Sequence, residues 1–195
     1  EPRYADFFLG PFHRLTKEFV GSTPNSAAFV SGFDFILEDT TFQMYSPNRA
    51  RQIEFVSQHL KAGGIFLFVE KFLAKDAADY RRREHQKDFG FKSRFFPEAE
   101  IAKKADVVLK AMHKNEVTLM QMSEAVSAHF EHCAITWNSG NFYGLAASNS
   151  RDNLNLYLSL LGPPAIPHEY VYETELNAEL AVGDALEVAS QSGKH

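Results

Sequence analysis

Residues 60–72 read LKAGGIFLFVEKF. Their spacing predicts a helix that ends at Ala62, a turn at Gly63-Gly64, and five apolar residues in a row, Ile65 to Val69, closed by the charged pair Glu70-Lys71. A strand buried on both faces is hydrophobic throughout, and one that opens off a glycine-terminated helix belongs to a parallel α/β sheet. Ligands of such sheets sit beyond the carboxyl ends of the strands, so Glu70 and Lys71 fall where chemistry is expected.

Upstream, Phe33–Leu37 (FDFIL) reads as a second short buried strand, ending in the polar loop Glu38-Asp39-Thr40-Thr41. Ser46-Pro47 reads as a helix start with proline at the first helical position, and Ile53, Val56 and Leu60 as the buried face of helix 47–61. Before these, Phe8, Phe12, Leu15 and Phe19 lie near helical spacing, interrupted by Gly10-Pro11, so a helix is expected after Pro11; GSTPNSAAFVSG, residues 21–32, is turn chemistry.

Downstream, 74–130 is helical and charged. KDAADYRRREHQKDF is helix-competent, FPEAEIAKKADVVLKAM starts at a proline and carries Ile101, Ala105, Val108 and Met112 on one face, and VTLMQMSEAVSAHF is amphipathic. Strands are expected at 132–137 and 141–147, joined by the tight turn Asn138-Ser139-Gly140. Past 150 the pattern weakens: GPPAIP cannot hold regular structure, and 168–190 reads as an acidic arm. The expected organisation is one α/β domain over 1–150 and an extension over 151–195.

Bulk properties narrow the field. The chain has 195 residues, 45% of them hydrophobic, enough for a real core. A net charge of -5 removes any global basic footprint for nucleic acid. The single cysteine, Cys133, rules out an internal disulfide framework and fits a reducing, cytoplasmic setting. No apolar run approaches the roughly 20 residues of a membrane span, and no signal-peptide pattern opens the chain.

A strand-and-helix order that ends in an antiparallel hairpin is typical of class I S-adenosylmethionine-dependent methyltransferases. DFILEDTTFQMYSPNRARQIEFVSQHLKAGGIFLFVEKF resembles their central motifs, most closely those of the carboxy-S-adenosylmethionine synthase branch of the tRNA uridine 5-oxyacetate pathway. That branch shows a polar turn closing on Gln, a Pro-started helix, a Gly-Gly turn and a strand ending Glu-Lys-Phe. Here these are Asp39 to Gln43, Pro47, Gly63-Gly64 and Glu70-Lys71-Phe72. EAEIAKK, MHKNEVTLMQM, NFYGLAA and the early RYADFFLGPFHRLTKEFV keep the same order, so the resemblance covers about residues 3–148.

The resemblance implies a Rossmann-like methyltransferase fold, a mostly parallel sheet ending in an antiparallel hairpin, with S-adenosylmethionine as cofactor. It also marks an absence. The family's first strand, its Gly-rich loop, and the acidic residue closing its second strand are replaced by GSTPNSAAFVSG, and no GxGxxG-like run occurs in the chain. The stretch is excised or left out around residues 22–32, is truly deleted, or is replaced by a second chain that completes the sheet. Removal of that strand leaves 33–37 with an unpaired edge, so a monomer built this way should aggregate or recruit a partner, and a homodimer is expected. Ala105 stands where the branch places the arginine that pairs with its carboxylated cofactor; Lys103 and Lys104 are not bidentate forks, so ordinary S-adenosylmethionine is the expected cofactor.

On position, Asp39, Thr40, Thr41 and Gln43 are the expected cofactor contacts, against a plain reading as a loop that caps the next helix. Glu70, Lys71, Tyr80, Arg83 and His85 are the expected substrate contacts. The plain alternatives are a surface Glu70–Lys71 pair and a solvated 80–96 helix whose aromatics, among them Phe89, Phe91, Phe95 and Phe96, lie in the core. His129, His132 and Cys133 lack an acid at ligand spacing, so no metal is expected. The expected activity is methyl transfer to a small molecule or an RNA base; the alternative is a noncatalytic remnant of the fold, a binding or assembly module completed by a partner chain. No general base is evident, and methyl transfer needs chiefly in-line placement of the acceptor.

Overall fold

The computed structural model describes residues 8–173 and 176–177 of the chain. It is an α/β structure around one four-stranded mixed sheet. The strands are β1 (Phe33–Asp39), β2 (Leu60–Lys71), β3 (His132–Ser139) and β4 (Phe142–Ser148), in the spatial order β1-β2-β4-β3. β1 and β2 pair in parallel, whereas β4 pairs antiparallel with both β2 and β3. The expectation of a mostly parallel sheet is therefore corrected: one of the three pairings is parallel, because the hairpin's return strand β4 inserts beside β2.

The helices are α1 (Lys17–Ser22), α2 (Ser26–Phe29), α3 (Arg49–Ser57), α4 (Ala77–His85), α5 (Glu98–Lys104), α6 (Lys110–His113), α7 (Leu119–Ser127) and α8 (Arg151–Leu160). π-helical turns continue α4 over Gln86–Phe91 and bridge α5 to α6 over Ala105–Leu109. α3 is shorter than its apolar spacing predicts. It is capped by Asn48, whose side chain accepts from Arg51 N, so Pro47 precedes the cap instead of opening the helix. It ends at Ser57, and Leu60 is already in β2.

The Gly-Gly pair is likewise inside β2 and not before it. Phe33 is in register with Leu60 and Phe35 with Ile65, so β2 bulges across the pair. Gly63 has φ +71, a left-handed value, and a Cβ there would stand 3.0 Å from Asn153 Nδ2. Asn153 Nδ2 donates to Gly63 O at 2.8 Å, and Ser148 Oγ to Gly64 O at 2.9 Å, so the bulge is tied to β4 and α8.

One face of the sheet carries the main core. Phe66 and Phe68 stack with ring centroids 4.2 Å apart and pack with Phe42, Ile53, Met122, Val126, Phe130 and Leu145. α7 delivers Met122 and Val126 from a helix opened by a capping box, in which the Thr118 and Gln121 side chains each bond the other residue's backbone. Burial of such a side chain stabilises by about 1.5–3 kcal/mol. The other face is smaller: Ile65, Ala146 and Leu154 are its buried residues, covered by α8. Beyond GPPAIP the chain returns along β3. Gly140 N donates to Tyr170 O, Tyr172 N to Asn138 Oδ1 and Asn177 N to Ile135 O. The rest of the acidic arm, 174–175 and 178–195, lies outside the described residues, as do 1–7. No described helix is long and apolar enough to cross a membrane.

Candidate functional site at the carboxyl ends of β1 and β2

β1 and β2 are parallel, so both deliver their last residues to the same end of the sheet: Glu38 and Asp39 from β1, Glu70 and Lys71 from β2. Two buried polar networks form there. In the first, Arg49 at the start of α3 donates from Nε to Glu70 Oε2 at 2.8 Å, with both groups sealed from solvent. The same guanidinium donates to Ser46 O, Gln52 Oε1 and Asn115 O. Glu38 Oε1 accepts from Phe42 N at 2.9 Å, and Gln52 Nε2 donates to Phe42 O.

Burial, and then the neighbouring Glu70, push the Glu38 carboxyl up to about 9. Burial also raises Glu70, against the pull of Arg49 and a side-chain hydrogen bond with Glu38. Glu38 Oε2 and Glu70 Oε1 are both buried without another partner. A proton held on Glu38 and donated to Glu70 resolves this, because two adjacent carboxylates in a dry site cannot both ionise cheaply.

The second network is centred on Lys71. Its Nζ donates to Tyr80 OH at 2.6 Å and lies 3.0 Å from Glu84 Oε2 and 3.3 Å from Glu116 Oε1. Tyr80 OH in turn donates to Glu116 Oε2 at 2.7 Å, and His113 Nδ1 is 3.1 Å from that same oxygen. Burial and the hydrogen bond to Glu116 raise the Tyr80 phenol well above its ordinary value. Against the burial that would raise it, Lys87 and Lys71 hold Glu84 below the usual carboxylate range. The arrangement holds a lysine ammonium among two carboxylates and a neutral phenol, which suits it to fix helix α4 over the strand ends and to hold protons in place.

Of the expected site residues, Gln43, Glu70, Lys71 and Tyr80 come together here. Gln43 is fully buried; its Oε1 lies 3.4 Å from Lys71 N and its Nε2 has no partner. Glu70 and Lys71 do not pair with each other on the surface: each is buried and bound elsewhere. Arg83 lies alongside, paired with Asp79, donating to Gly140 O and stacked 4.1 Å from the centre of the Tyr172 ring. His85 is apart, exposed and against Phe89.

Asp39, Thr40 and Thr41 form the outer rim. Thr40 has φ 54, a rare conformation for a β-branched residue, held by its N–H to Val69 O at 2.8 Å. The aromatics of 89–96 are not core residues: Phe89, Phe91, Phe95 and Phe96 are all exposed. Lys87 and Lys92 beside them are paired with Glu84 and Asp88. Cys133 is buried, its thiol pushed up to about 12 by that burial. Among the described residues no group of three His, Cys, Asp or Glu is placed to hold a metal.

Arg49, Glu38 and Glu116 are the residues that sequence reasoning missed. Arg49 left a signal: a cation in the first turn of a helix opposes the helix dipole, so something else must hold it. Glu38 left a fainter one, an acid in step with Ile36 directly after the apolar run Phe35–Leu37. No family model matches the sequence, and no curated protein matches it.

Proposed function

We propose that the chain is a Rossmann-like, S-adenosylmethionine-dependent methyltransferase acting on a small molecule or an RNA base. The observation that carries this reading is the order and direction of the strands. A parallel β1-β2 pair followed in the chain by an antiparallel hairpin, β3-β4, supports the ending that the sequence resemblance implies for that sheet. The strained Thr40 at the end of β1 supports it, since such conformations cluster where ligands are held.

The described residues fit the cofactor on one side. Asp39, Thr40 and Thr41 offer rim contacts, whereas Gln43 and Glu70 are turned into the interior and no Gly-rich loop stands opposite. Calorimetric titration of the chain with S-adenosylmethionine tests the reading. Saturable binding, weaker than about 10 μM and lost in Asp39→Ala, is the expected result. No heat up to millimolar cofactor sinks it.

A second reading rests on a separate observation. The acid and base at the strand ends are sealed inside buried networks while Phe35 and Leu37 on β1 are 55% and 61% exposed. That inversion favours a noncatalytic module of this fold that works by joining a partner at β1, and it is the reading left standing when the titration is flat.

A further inference from the structure

We infer that β1 is a self-association edge, at which a second copy of this chain adds its own β1 in antiparallel register to make one continuous sheet. This goes beyond the methyl-transfer reading and rests on the free edge alone, so it holds whether or not the chain binds S-adenosylmethionine.

β1 has β2 on one side and, among the described residues, no strand on the other. Thr40 N reaches back to Val69 O, so by the alternation of a parallel ladder the backbone groups of Phe35, Leu37 and Asp39 point away from β2. Edges of this kind are ordinarily guarded by a proline, a lysine, a bulge or a covering loop. The run Phe35-Ile36-Leu37 has neither a proline nor a charged side chain, the acids Asp34, Glu38 and Asp39 flank it, and the register irregularity lies N-terminal to it, between Phe33 and Phe35. The opposite edge shows what guarding looks like, since the segment leading to Asn177 hydrogen-bonds along β3.

The side chains beside the free edge match it. Phe35 and Leu37 share the face covered by α8, where Leu156 and Leu160 are 60% and 76% exposed. Phe35, Leu156, Tyr157 and Leu160 line a groove of about 270 Å³ on that face, rimmed by the Lys61–Asp34 ion pair. The exposed side chains of Phe35, Leu37, Leu156 and Leu160 present roughly 400 Å² of mostly apolar surface, so two copies bring about 800 Å² toward the ~1,000 Å² that a specific interface needs, before any backbone is counted.

A second copy is the occupant that fits. A two-fold axis through Ile36 sets Phe35 opposite Leu37 of the other copy and Leu37 opposite its Phe35, apolar against apolar on the same face. The rim carries one acid and one base already joined, and the chain's net charge is -5, so neither a polyanion nor an anionic membrane is favoured there.

Sedimentation equilibrium of the full chain, from low to high micromolar concentration, reads the outcome directly. The expected result is a reversible shift from 22.0 kDa to twice that mass. Leu37→Lys weakens the association at least tenfold, and so does Leu156→Glu, which lies on α8 and leaves the strand untouched. The amide protons of Phe35, Leu37 and Asp39 gain exchange protection in step with the dimer fraction, a signature that association elsewhere on the molecule does not produce. A chain that stays monomeric throughout overturns the inference. So does a dimer indifferent to both substitutions, and so does open-ended polymer, because a two-fold edge pairing closes on itself.

Discussion

Two regions of the same pair of strands differ in kind. At their carboxyl ends Glu38, Glu70, Lys71 and Arg49, charged or titratable, are almost wholly buried; along the outer side of β1 Phe35 and Leu37, apolar, face solvent. Ordinary burial preferences are inverted at both places. The first inversion is met internally, by two networks that pair every charge, a proton between Glu38 and Glu70 included. The second is satisfied by nothing in the described chain. A polar interior stabilises only while every member stays paired, whereas an apolar exterior costs little until a partner arrives. The two regions should therefore respond to substitution in opposite ways.

The largest effect is expected at Arg49. Arg49→Met leaves Glu70 buried without its cation and should cost about 3–5 kcal/mol, read as a fall in the midpoint of urea unfolding. A loss under about 1 kcal/mol would mean that water reaches the network and that the contrast between sealed and open regions is false. A smaller effect, of opposite sign, is expected at Glu38. Its carboxyl rises from an unfolded value of 4.5 to about 9, so the folded state holds a proton that the unfolded state has released. Stability therefore falls as pH climbs from about 4.5 to about 9 and then levels. Glu38→Gln keeps the bond from Phe42 N and supplies a permanent donor toward Glu70. It should stabilise by on the order of 2 kcal/mol at pH 7 and flatten the fall, leaving a residual slope from Glu70. An unchanged slope in thermal unfolding scans across this pH range would show that the proton is not on Glu38. The smallest effect belongs to the open side. Measured at a dilution where the chain is monomeric, Leu37→Lys should alter unfolding free energy by less than about 0.5 kcal/mol, and a large loss there would mean that β1 is packed internally after all.

How far the sequence foretold this contrast depends on which physical signal each residue carried. The run Ile65–Val69 was legible as a buried strand because apolar density needs no partner to be recognised. Helix α3 was legible but drawn too long: Leu60 keeps the helical step from Val56, yet its pairing opposite Phe33 prevails, and tertiary contact overrode a local period. α8 was invisible because Leu154, Leu156, Leu158 and Leu160 alternate like a strand. Only Ser150, whose side chain caps Asn153 N, marked a helix start. At the site, position along the strands pointed to Glu70 and Lys71, but not to what they touch. Arg49 and Glu116 reach them from α3 and from the loop after α6, and no spacing rule links residues that far apart.

The spatial order β1-β2-β4-β3 also sets a timetable. β2 is complete at Lys71, but the strand that must lie against its second side does not begin until Phe142. At a synthesis rate of about 5–20 residues per second, the most apolar strand of the molecule waits several seconds with that side open. During that interval its neighbour β1 is equally unescorted, so the nascent chain carries an adhesive two-stranded ribbon well before it owns a domain. Slower synthesis through the charged helices α4 to α7 lengthens that exposure, and with it the time in which the open strands can meet another chain.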